Sequence, residues 1–262
     1  MSTTDAPERT TTLGHSVQVN DIEMYYETCG AGSPLVLLHG FGGCAQSWHP
    51  FAASLSERYS LIIVDMRGHG HSTNPGNRFT HRQAANDVFA LLDALGVAHF
   101  SAMGISSGGM TLLHMATSQP ERIESMVLVS ATPHFTDQAR AVFLRASSFD
   151  NLPQEVQAMY RKCAARGDEQ IRQLASQFNG FHNSYDDMNF TASSLSTVRA
   201  RTLIVHGDRD RLFPIEIPVN LHRSIPGAAL WIIPGGDHVP VYDPTVAFTS
   251  TALRFLAGED SR

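Results

Sequence analysis

The stretch Gly104-Ile105-Ser106-Ser107-Gly108 decides the fold of this chain. An apolar run precedes it and a largely apolar, helix-like run follows it, so we predict a sharp turn from a strand into a helix. Its spacing is G-x-S-x-G, the pattern in which a serine stands exposed at the apex of such a turn. Glycines on both sides of the serine prevent clashes in the strained backbone of the turn. The pattern predicts Ser106, and not its neighbour Ser107, as a nucleophile.

Strands and helices alternate on both sides of this turn. Apolar strands are predicted at 34–38, 61–65, 100–103, 126–129, 202–205 and 230–233, and helices at 48–58, 82–95, 107–118, 215–223 and 244–256. A hairpin is predicted ahead of them, at 16–19 and 24–28. Alternation of this kind indicates an α/β fold with a mostly parallel central sheet and helices on both faces.

The segment 133–197, which we name the cap segment, interrupts this alternation. It contains no strand-like run, and single proline and glycine residues divide its helical pattern. We predict a helical lid inserted into an α/β core that residues 1–132 and 198–262 form. Because ligands bind at the carboxyl ends of the strands in open α/β sheets, we expect the cap segment to cover the site.

Two later segments supply the base and the acid that a serine nucleophile needs. Asp208 and Asp210 follow one predicted strand, and His238 follows the next. The carboxyl ends of neighbouring parallel strands meet at one edge of a sheet, so these groups should lie near Ser106. We predict that His238 removes the proton of Ser106 and that Asp210 holds the imidazole in position. Turn formation by either aspartate, and a helix-capping neighbourhood for the histidine, are the structural alternatives.

A glycine-rich loop follows the first buried strand. It extends from His39 to Gly43 and should expose backbone N–H groups beside Ser106. We predict that the N–H groups of Phe41 and Ser107 form the oxyanion hole. Removing one such donor costs about 3 kcal/mol of transition-state stabilisation. His39 is expected to be a structural hydrogen-bonding residue of the loop.

Apolar side chains are the candidates for substrate contact. The cap segment carries eight aromatic residues. About half of these should form its own core, and the others should line an apolar pocket. The predicted substrate-binding residues are Trp48, Phe135, Phe143, Phe181 and Val239. Such a pocket favours a neutral substrate of modest size.

These motifs together resemble those of the α/β-hydrolase superfamily. The resemblance extends from the hairpin to the last helix and points to small serine esterases, lactonases and cofactor-free haloperoxidases. It implies that the second aspartate of the pair, Asp210, is the acid. It also implies that Asp65–Ser72 is a structural turn, so that His69 and His71 are not expected to bind a metal. Haloalkane dehalogenases and epoxide hydrolases are disfavoured, because the resemblance implies that they carry an aspartate where this chain has Ser106.

Composition excludes several other classes of protein. The 262 residues carry a net charge of −6, and the cap segment holds seven acidic and six basic residues. No basic groove for nucleic acid is therefore expected. The single lysine, Lys162, lacks the glycine-rich motif of a phosphate-binding loop. We expect no nucleic-acid partner and no nucleotide chemistry of that type.

Cysteine use and the amino-terminal sequence predict a compartment. Cys29, Cys44 and Cys163 are odd in number and form no C-x-x-C pair, so neither a disulfide framework nor a structural zinc site is expected. Cys44 is expected to be a small buried residue. Residues 1–16 are polar, and no apolar run is long enough to span a membrane, which predicts neither a signal peptide nor a membrane span. A cytoplasmic location follows.

Two other interpretations fit parts of the sequence. Residues 40–45 match the G-x-G-x-x-A pattern of a dinucleotide site, with Asp65 as the ribose-binding acid. However, a hairpin precedes this strand, and the interpretation leaves Ser106, Asp210 and His238 without a role. A metal hydrolase would need a histidine motif such as H-E-x-x-H, which the sequence lacks.

The sequence thus predicts a serine hydrolase that cleaves a neutral carboxylic ester or lactone of modest size through an acyl-enzyme intermediate. We expect neither a cofactor nor a metal, and we expect a small molecule as partner; a homo-oligomer is compatible with the sequence. Because the same machinery serves other reactions, a carbon–carbon hydrolase, an amidase and a perhydrolase are alternatives. A slow-turnover ligand receptor on the same scaffold is another.

Overall fold

The structure is a computed structural model that describes residues 12–146 and 148–259. In these ranges one sheet contains the strands β1 (Leu13–Val19), β2 (Ile22–Cys29), β3 (Ser33–Leu38), β4 (Tyr59–Val64), β5 (Phe100–Ile105), β6 (Ile123–Val129), β7 (Arg201–Gly207) and β8 (Ala229–Ile233). Their order is β1-β2-β4-β3-β5-β6-β7-β8. The pairings of β1 with β2 and of β2 with β4 are antiparallel, and those from β4 to β8 are parallel. The predicted mostly parallel sheet is confirmed.

Helices accompany the strands on both faces of the sheet. They are α1 (His49–Ser56), α2 (His81–Ala94), α3 (Ser107–Ser118), α4 (Asp137–Arg145), α5 (Gln154–Cys163), α6 (Gly167–Gly180), α7 (Ala192–Leu195), α8 (Glu216–Ser224) and α9 (Phe248–Leu256). Short 3-10 turns lie at Ala45–Trp48, Phe149–Asn151, Phe181–Asn183 and Pro240–Tyr242. Across the part of the chain that the structure describes, none of the helices combines the length and the apolar character needed to cross a membrane.

Two hydrophobic layers pack against opposite faces of the sheet. In β3, Val36 and Leu38 belong to the layer under α2, α3 and the cap segment, whereas Leu35 and Leu37 belong to the layer under α1 and α9. All four side chains are fully buried, which explains why the strands are apolar without alternation. β3 and β5 are neighbours, with Leu38 opposite Gly104. The loops that leave these two strands are therefore adjacent.

The cap segment lies between β6 and β7, and its regular elements in the described residues are helices α4 to α7 with short turns. Polar side chains hold it against the turn that follows β4. Arg166 donates hydrogen bonds to the carbonyl oxygens of Ser72 and Gly68. The buried Gln170 donates to the carbonyl oxygens of Gly68 and Gly70. Because these acceptors are backbone atoms of a tight turn, the hydrogen bonds fix the position of the cap segment on the core.

A disulfide joins Cys44 to Cys163, and here the expectation from the sequence was wrong. Cys44 lies in the loop after β3 and Cys163 ends α5, so the bond ties the core to the cap segment across 119 residues of chain. The positions of the two cysteines in the sequence do not predict this pair, because only the fold brings their Cα atoms to a distance of 5.5 Å. Cys29 is buried and free. Disulfides form mainly in oxidising compartments, so the cytoplasmic location stays a prediction.

Candidate active site

The turn between β5 and α3 holds Ser106 in a backbone conformation that side chains seldom adopt. Its φ is 50° and its ψ is −112°, outside the regions open to most residues. Crowding explains the glycines of the turn. A Cβ added to Gly104 would lie 2.5 Å from the carbonyl carbon of Gly108, and one added to Gly108 would overlap the carbonyl oxygen of Leu38. The strand, the sharp turn and the helix are all present, with Ser106 at the apex.

Ser106 begins a chain of two hydrogen bonds. His238 Nε2 lies 2.9 Å from Ser106 Oγ, and His238 Nδ1 lies 2.8 Å from Asp210 Oδ2. The three side chains follow β5, β8 and β7, whose carboxyl ends lie along one edge of the sheet. The structure thus brings together the three residues that the sequence spacing selects.

Asp210 is the buried, charged end of this chain. Burial acts to raise its pKa, but the hydrogen bond from His238 and those from the backbone amides of Phe213 and Leu212 hold the pKa below its ordinary value. The ionised carboxylate accepts a hydrogen bond from Nδ1–H of the histidine. The unprotonated Nε2 is therefore free to accept the hydroxyl proton of Ser106.

The loop after β3 lies beside the serine. The position that a Cβ on Gly40 would occupy is 3.6 Å from Ser106 Cβ, so the start of the loop touches the turn. Ser107 is the first residue of α3, where backbone N–H groups have no acceptor within the helix. Phe41 and Ser107, the predicted oxyanion donors, thus belong to the two segments that flank Ser106.

Three of the predicted substrate-contact residues form one aromatic cluster. The ring centroids of Phe135, Phe143 and Phe181 lie between 5.0 and 5.6 Å from one another. Phe181 also lies 5.0 Å from Phe41 of the loop after β3. All four rings are buried in the hydrophobic layer beneath the cap segment. The cluster joins the cap segment to the predicted oxyanion loop.

Two other predicted contact residues lie outside this cluster. Trp48 is fully buried in the opposite hydrophobic layer, so the structure does not bring it to the phenylalanines. Val239 follows His238 and packs, partly exposed, at the edge of that same layer. Asp208, the alternative acid, accepts a hydrogen bond from the amide of Gly235 at 2.6 Å and supports the turn after β8.

Sequence reasoning missed a second chain of polar groups beside the first. Ser107 Oγ lies 3.1 Å from His81 Nε2, and His81 Nδ1 lies 2.7 Å from Asp187 Oδ2. All three side chains are buried. His81 and Asp187 are 106 residues apart and belong to no motif, so no pattern in the sequence announces their contact.

The carboxylate of Asp65 is hydrogen-bonded to backbone amides of two neighbouring loops. It accepts hydrogen bonds from the amides of Ala45 at 2.6 Å and of His71 at 2.9 Å. It is therefore not free to bind a ribose, as the dinucleotide interpretation requires. In the ranges that the structure describes, no three histidine, cysteine, aspartate or glutamate side chains are grouped so that they could hold a metal ion.

Comparison with known proteins places this geometry in a family. Residues 33–177, more than half of the chain, match the family described as the alpha/beta hydrolase fold. The chain belongs to this family, and it is a hydrolase.

The names of individual relatives do not agree on a substrate. A 2-hydroxymuconate semialdehyde hydrolase from a Pseudomonas species is 28% identical, over 98% of this chain and 98% of that protein. The human serine hydrolase BPHL is 29% identical, over 87% of this chain and 81% of that protein. The solved enol-lactonase from Burkholderia xenovorans LB400 superposes with a TM-score of 0.76 at 25% identity, covering 93% of this chain and 100% of that one.

Proposed function

We propose that this hydrolase cleaves a neutral carboxylic ester or lactone of modest size through an acyl-enzyme intermediate. The observation that carries the proposal is the unbroken chain from Ser106 through His238 to Asp210 at a strand-to-helix turn. A serine, a base and an orienting acid in this arrangement activate the hydroxyl for attack on a carbonyl carbon. The names of the human serine hydrolase and the enol-lactonase support the same assignment.

In the first step, Ser106 Oγ attacks the carbonyl carbon of the substrate. His238 Nε2 takes the hydroxyl proton, and the ionised Asp210 stabilises the imidazolium that forms. The negative oxygen of the tetrahedral intermediate accepts hydrogen bonds from the backbone N–H groups of Phe41 and Ser107. Collapse of the intermediate breaks the bond to the leaving alcohol, which receives the proton from His238.

In the second step, water removes the acyl group from Ser106. His238 takes a proton from the water as its oxygen attacks the acyl carbon. The same two N–H groups stabilise the second tetrahedral intermediate. Its collapse returns the proton to Ser106 Oγ and releases the acid, or the hydroxy acid when the substrate is a lactone. None of these steps needs a cofactor or a metal.

The cap segment favours an uncharged acyl group. Phe135, Phe143 and Phe181 offer a buried aromatic surface next to the predicted oxyanion loop. Arg145, which could attract a carboxylate, is exposed and donates a hydrogen bond to the carbonyl oxygen of Ala141 in its own helix. A carboxylate on the substrate would thus meet this aromatic cluster without pairing to Arg145, which is unfavourable.

A second candidate is hydrolysis of a substrate of the 2-hydroxymuconate semialdehyde kind. The relative that carries this name matches 98% of both chains. A serine, a base and an oxyanion hole can also serve that substrate, because it too presents a carbonyl group for attack. The two candidates differ in the bond that breaks and not in the residues that break it.

The test combines active-site labelling with a panel of substrates. The purified protein and its Ser106→Ala variant are treated with a fluorophosphonate probe, which phosphonylates activated serines. Turnover is measured on p-nitrophenyl esters from acetate to decanoate, on a series of neutral lactones, and on 2-hydroxymuconate semialdehyde.

We expect labelling and ester or lactone turnover in the wild type, and neither in Ser106→Ala. Labelling with turnover of the semialdehyde alone would replace the ester by the second candidate. A wild type that neither labels nor turns over any compound would overturn the assignment of Ser106.

A further inference from the structure

The second chain of polar groups repeats the chemistry of the first at the next residue. Ser107 Oγ, His81 and Asp187 are joined by contacts of 3.1 and 2.7 Å. The exposed fractions of the three residues are 2%, 0% and 7%. Burying three polar side chains is costly unless every one is hydrogen-bonded, and apolar residues of similar volume would fill the same space. The burial of these three hydrogen-bonded side chains indicates a role beyond packing.

Asp187 anchors this chain from the cap segment. Its carboxylate accepts hydrogen bonds from the backbone amides of His81 at 2.7 Å and Arg82 at 3.1 Å, the first two residues of α2. His114 Nε2 lies 3.5 Å from its second oxygen. Burial acts to raise the pKa of Asp187, but His114 and His81 hold the pKa well below its ordinary value. The carboxylate is thus ionised, and it binds the start of a helix, where negative charge is stabilised.

The ionised carboxylate sets the direction of the remaining hydrogen bonds. It accepts Nδ1–H of His81, so in the neutral ring Nε2 is the acceptor. The Ser107 hydroxyl then donates to Nε2. Thr111 Oγ1 donates to the carbonyl oxygen of Ser107 at 2.9 Å, so the side chain and the backbone of this residue are both held.

Ser107 therefore faces two ways. Its backbone N–H is a predicted oxyanion donor, and its hydroxyl is bonded toward the cap segment through His81 and Asp187. The ring of His81 also packs 5.3 Å from Phe181 and 6.0 Å from Phe135, two rings of the predicted substrate surface. One histidine thus contacts both the aromatic cluster that we predict to face the substrate and the residue that we predict to be an oxyanion donor.

We propose that Asp187, His81 and Ser107 form a positioning relay, which aligns the Ser107 N–H with the developing oxyanion only while the cap segment is seated on the core. The relay rests on the proposed function, because it acts on the oxyanion hole of Ser106. Asp187 and His81 act through Ser107 and not on the reacting atoms, so they are positioning residues. Misalignment of a donor raises the energy of the transition state and leaves substrate binding largely unchanged, so the relay acts on kcat and not on KM.

A double-mutant cycle tests the relay. The variants are Ser107→Ala, which keeps the backbone N–H and removes the hydroxyl, Asp187→Asn, and the two combined. Ser125→Ala is the matched control, because Ser125 is a buried serine whose hydroxyl pairs with that of Ser101 at 2.8 Å on neighbouring strands. For each protein we measure the phosphonylation rate with the fluorophosphonate probe, kcat and KM on the best p-nitrophenyl ester, and the melting temperature.

We expect each single variant to lose about tenfold in kcat and in phosphonylation rate, with KM changed less than twofold. This is below the loss from deleting an oxyanion donor, since the donor is misaligned and not removed. The combined variant should lose no more than either single one, because both changes interrupt the same chain. Ser125→Ala should react at the wild-type rate.

Three outcomes would overturn the relay. The first is a kcat within twofold of wild type in Ser107→Ala, with only the melting temperature lowered, which indicates a purely structural tie. The second is a hundredfold loss in the combined variant, which indicates two independent effects. The third is a wild type that is not labelled at all, which removes the proposed function and the relay with it. If Asp187→Asn does not fold, the smaller change Ser107→Ala decides between the first outcome and the expected one.

Discussion

The two Ser–His–Asp chains start at consecutive residues and have similar hydrogen-bond lengths, but they differ in the backbone conformation of the serine and in the exposure of the histidine. Ser106 lies at a strained φ of 50°, and the side chain of its partner His238 is 25% exposed. Ser107 begins a regular helix, and its partner His81 is fully buried. Contacts between 2.7 and 3.1 Å link both sets. Hydrogen-bond geometry alone therefore does not define a nucleophile; backbone shape and access to the base separate the two serines.

The origin of the acid is a further difference. Asp210 follows β7 of the core, so the first chain lies entirely at the edge of the sheet. Asp187 belongs to the cap segment, so the second chain exists only when the cap segment and the core are in contact. The first Ser–His–Asp set is thus suited to forming and breaking covalent bonds. The second is suited to making the site respond to the position of the cap segment.

The largest expected effect separates the two serines. Ser106→Ala should abolish fluorophosphonate labelling and lower kcat by about a millionfold, because the covalent intermediate cannot form. Ser107→Ala keeps the nucleophile and should retain about a tenth of the activity. Labelling followed by mass spectrometry locates the modified residue. A probe adduct on Ser107 in the Ser106→Ala variant would contradict this distinction.

The next effect separates the two acids. Asp210→Asn should lower kcat by about ten-thousandfold, since the amide no longer fixes the proton on His238 Nδ1. Asp187→Asn should cost only about tenfold. Steady-state kinetics on one ester, with melting temperatures recorded in parallel, measure both. Equal losses in the two variants would show that the chains do not differ in function.

The disulfide offers a way to loosen the cap segment, which supplies Asp187, without changing any residue of either Ser–His–Asp chain. Removing it in a Cys44→Ser/Cys163→Ser variant should lower the free energy of unfolding by about 4 to 5 kcal/mol, as expected for a loop of 119 residues. The cap segment is then less firmly seated, so we expect a loss of kcat like that of Asp187→Asn. Denaturant unfolding and steady-state kinetics are the measurements. Cys29→Ser is the control, because Cys29 is buried and free. A thousandfold loss of kcat would show that the first chain also depends on the cap segment.

The smallest effect is the pH dependence of stability. The pKa of Asp187 is lowered in the folded protein from its ordinary value of 3.8. At pH values well above 3.8, ionisation of Asp187 therefore makes its full contribution to the stability of the fold. This contribution is lost as the pH falls through the pKa that Asp187 has in the folded protein. The difference in unfolding free energy between wild type and Asp187→Asn should be constant from pH 7 to about pH 5 and should shrink below that. Urea unfolding at fixed pH values measures it. Asp210→Asn should show a dependence in the same direction, because the pKa of Asp210 is also lowered in the folded protein.

Sequence reasoning recovers what local spacing encodes. Ser106, Asp210 and His238 each follow an apolar strand, so their meeting at the sheet edge follows from parallel topology alone. The relay cannot be found this way, because its two contacts join residues 26 and 106 positions apart that no motif marks.

The disulfide and Trp48 show the same limit. The pairing of Cys44 with Cys163 depends on how the cap segment folds back onto the loop after β3. Trp48 follows the glycine-rich loop in sequence, but its 3-10 turn directs it to the opposite face of the sheet. Spacing along the chain therefore predicts well which residues meet at the edge of the sheet. It predicts poorly on which face of the sheet a residue of a neighbouring turn lies.

The Cys44–Cys163 bond also fixes one margin of the cap segment to the core. Cys44 lies three residues after Phe41, so the covalent link fastens the cap segment next to the oxyanion loop. The ring of Tyr160, one turn earlier in α5, fills the space above Gly42 on the same side. The disulfide and the Tyr160 ring together hold this margin of the cap segment against the loop after β3. We expect any movement of the cap segment that admits a substrate to occur along the opposite margin, because the covalent bond tethers this one.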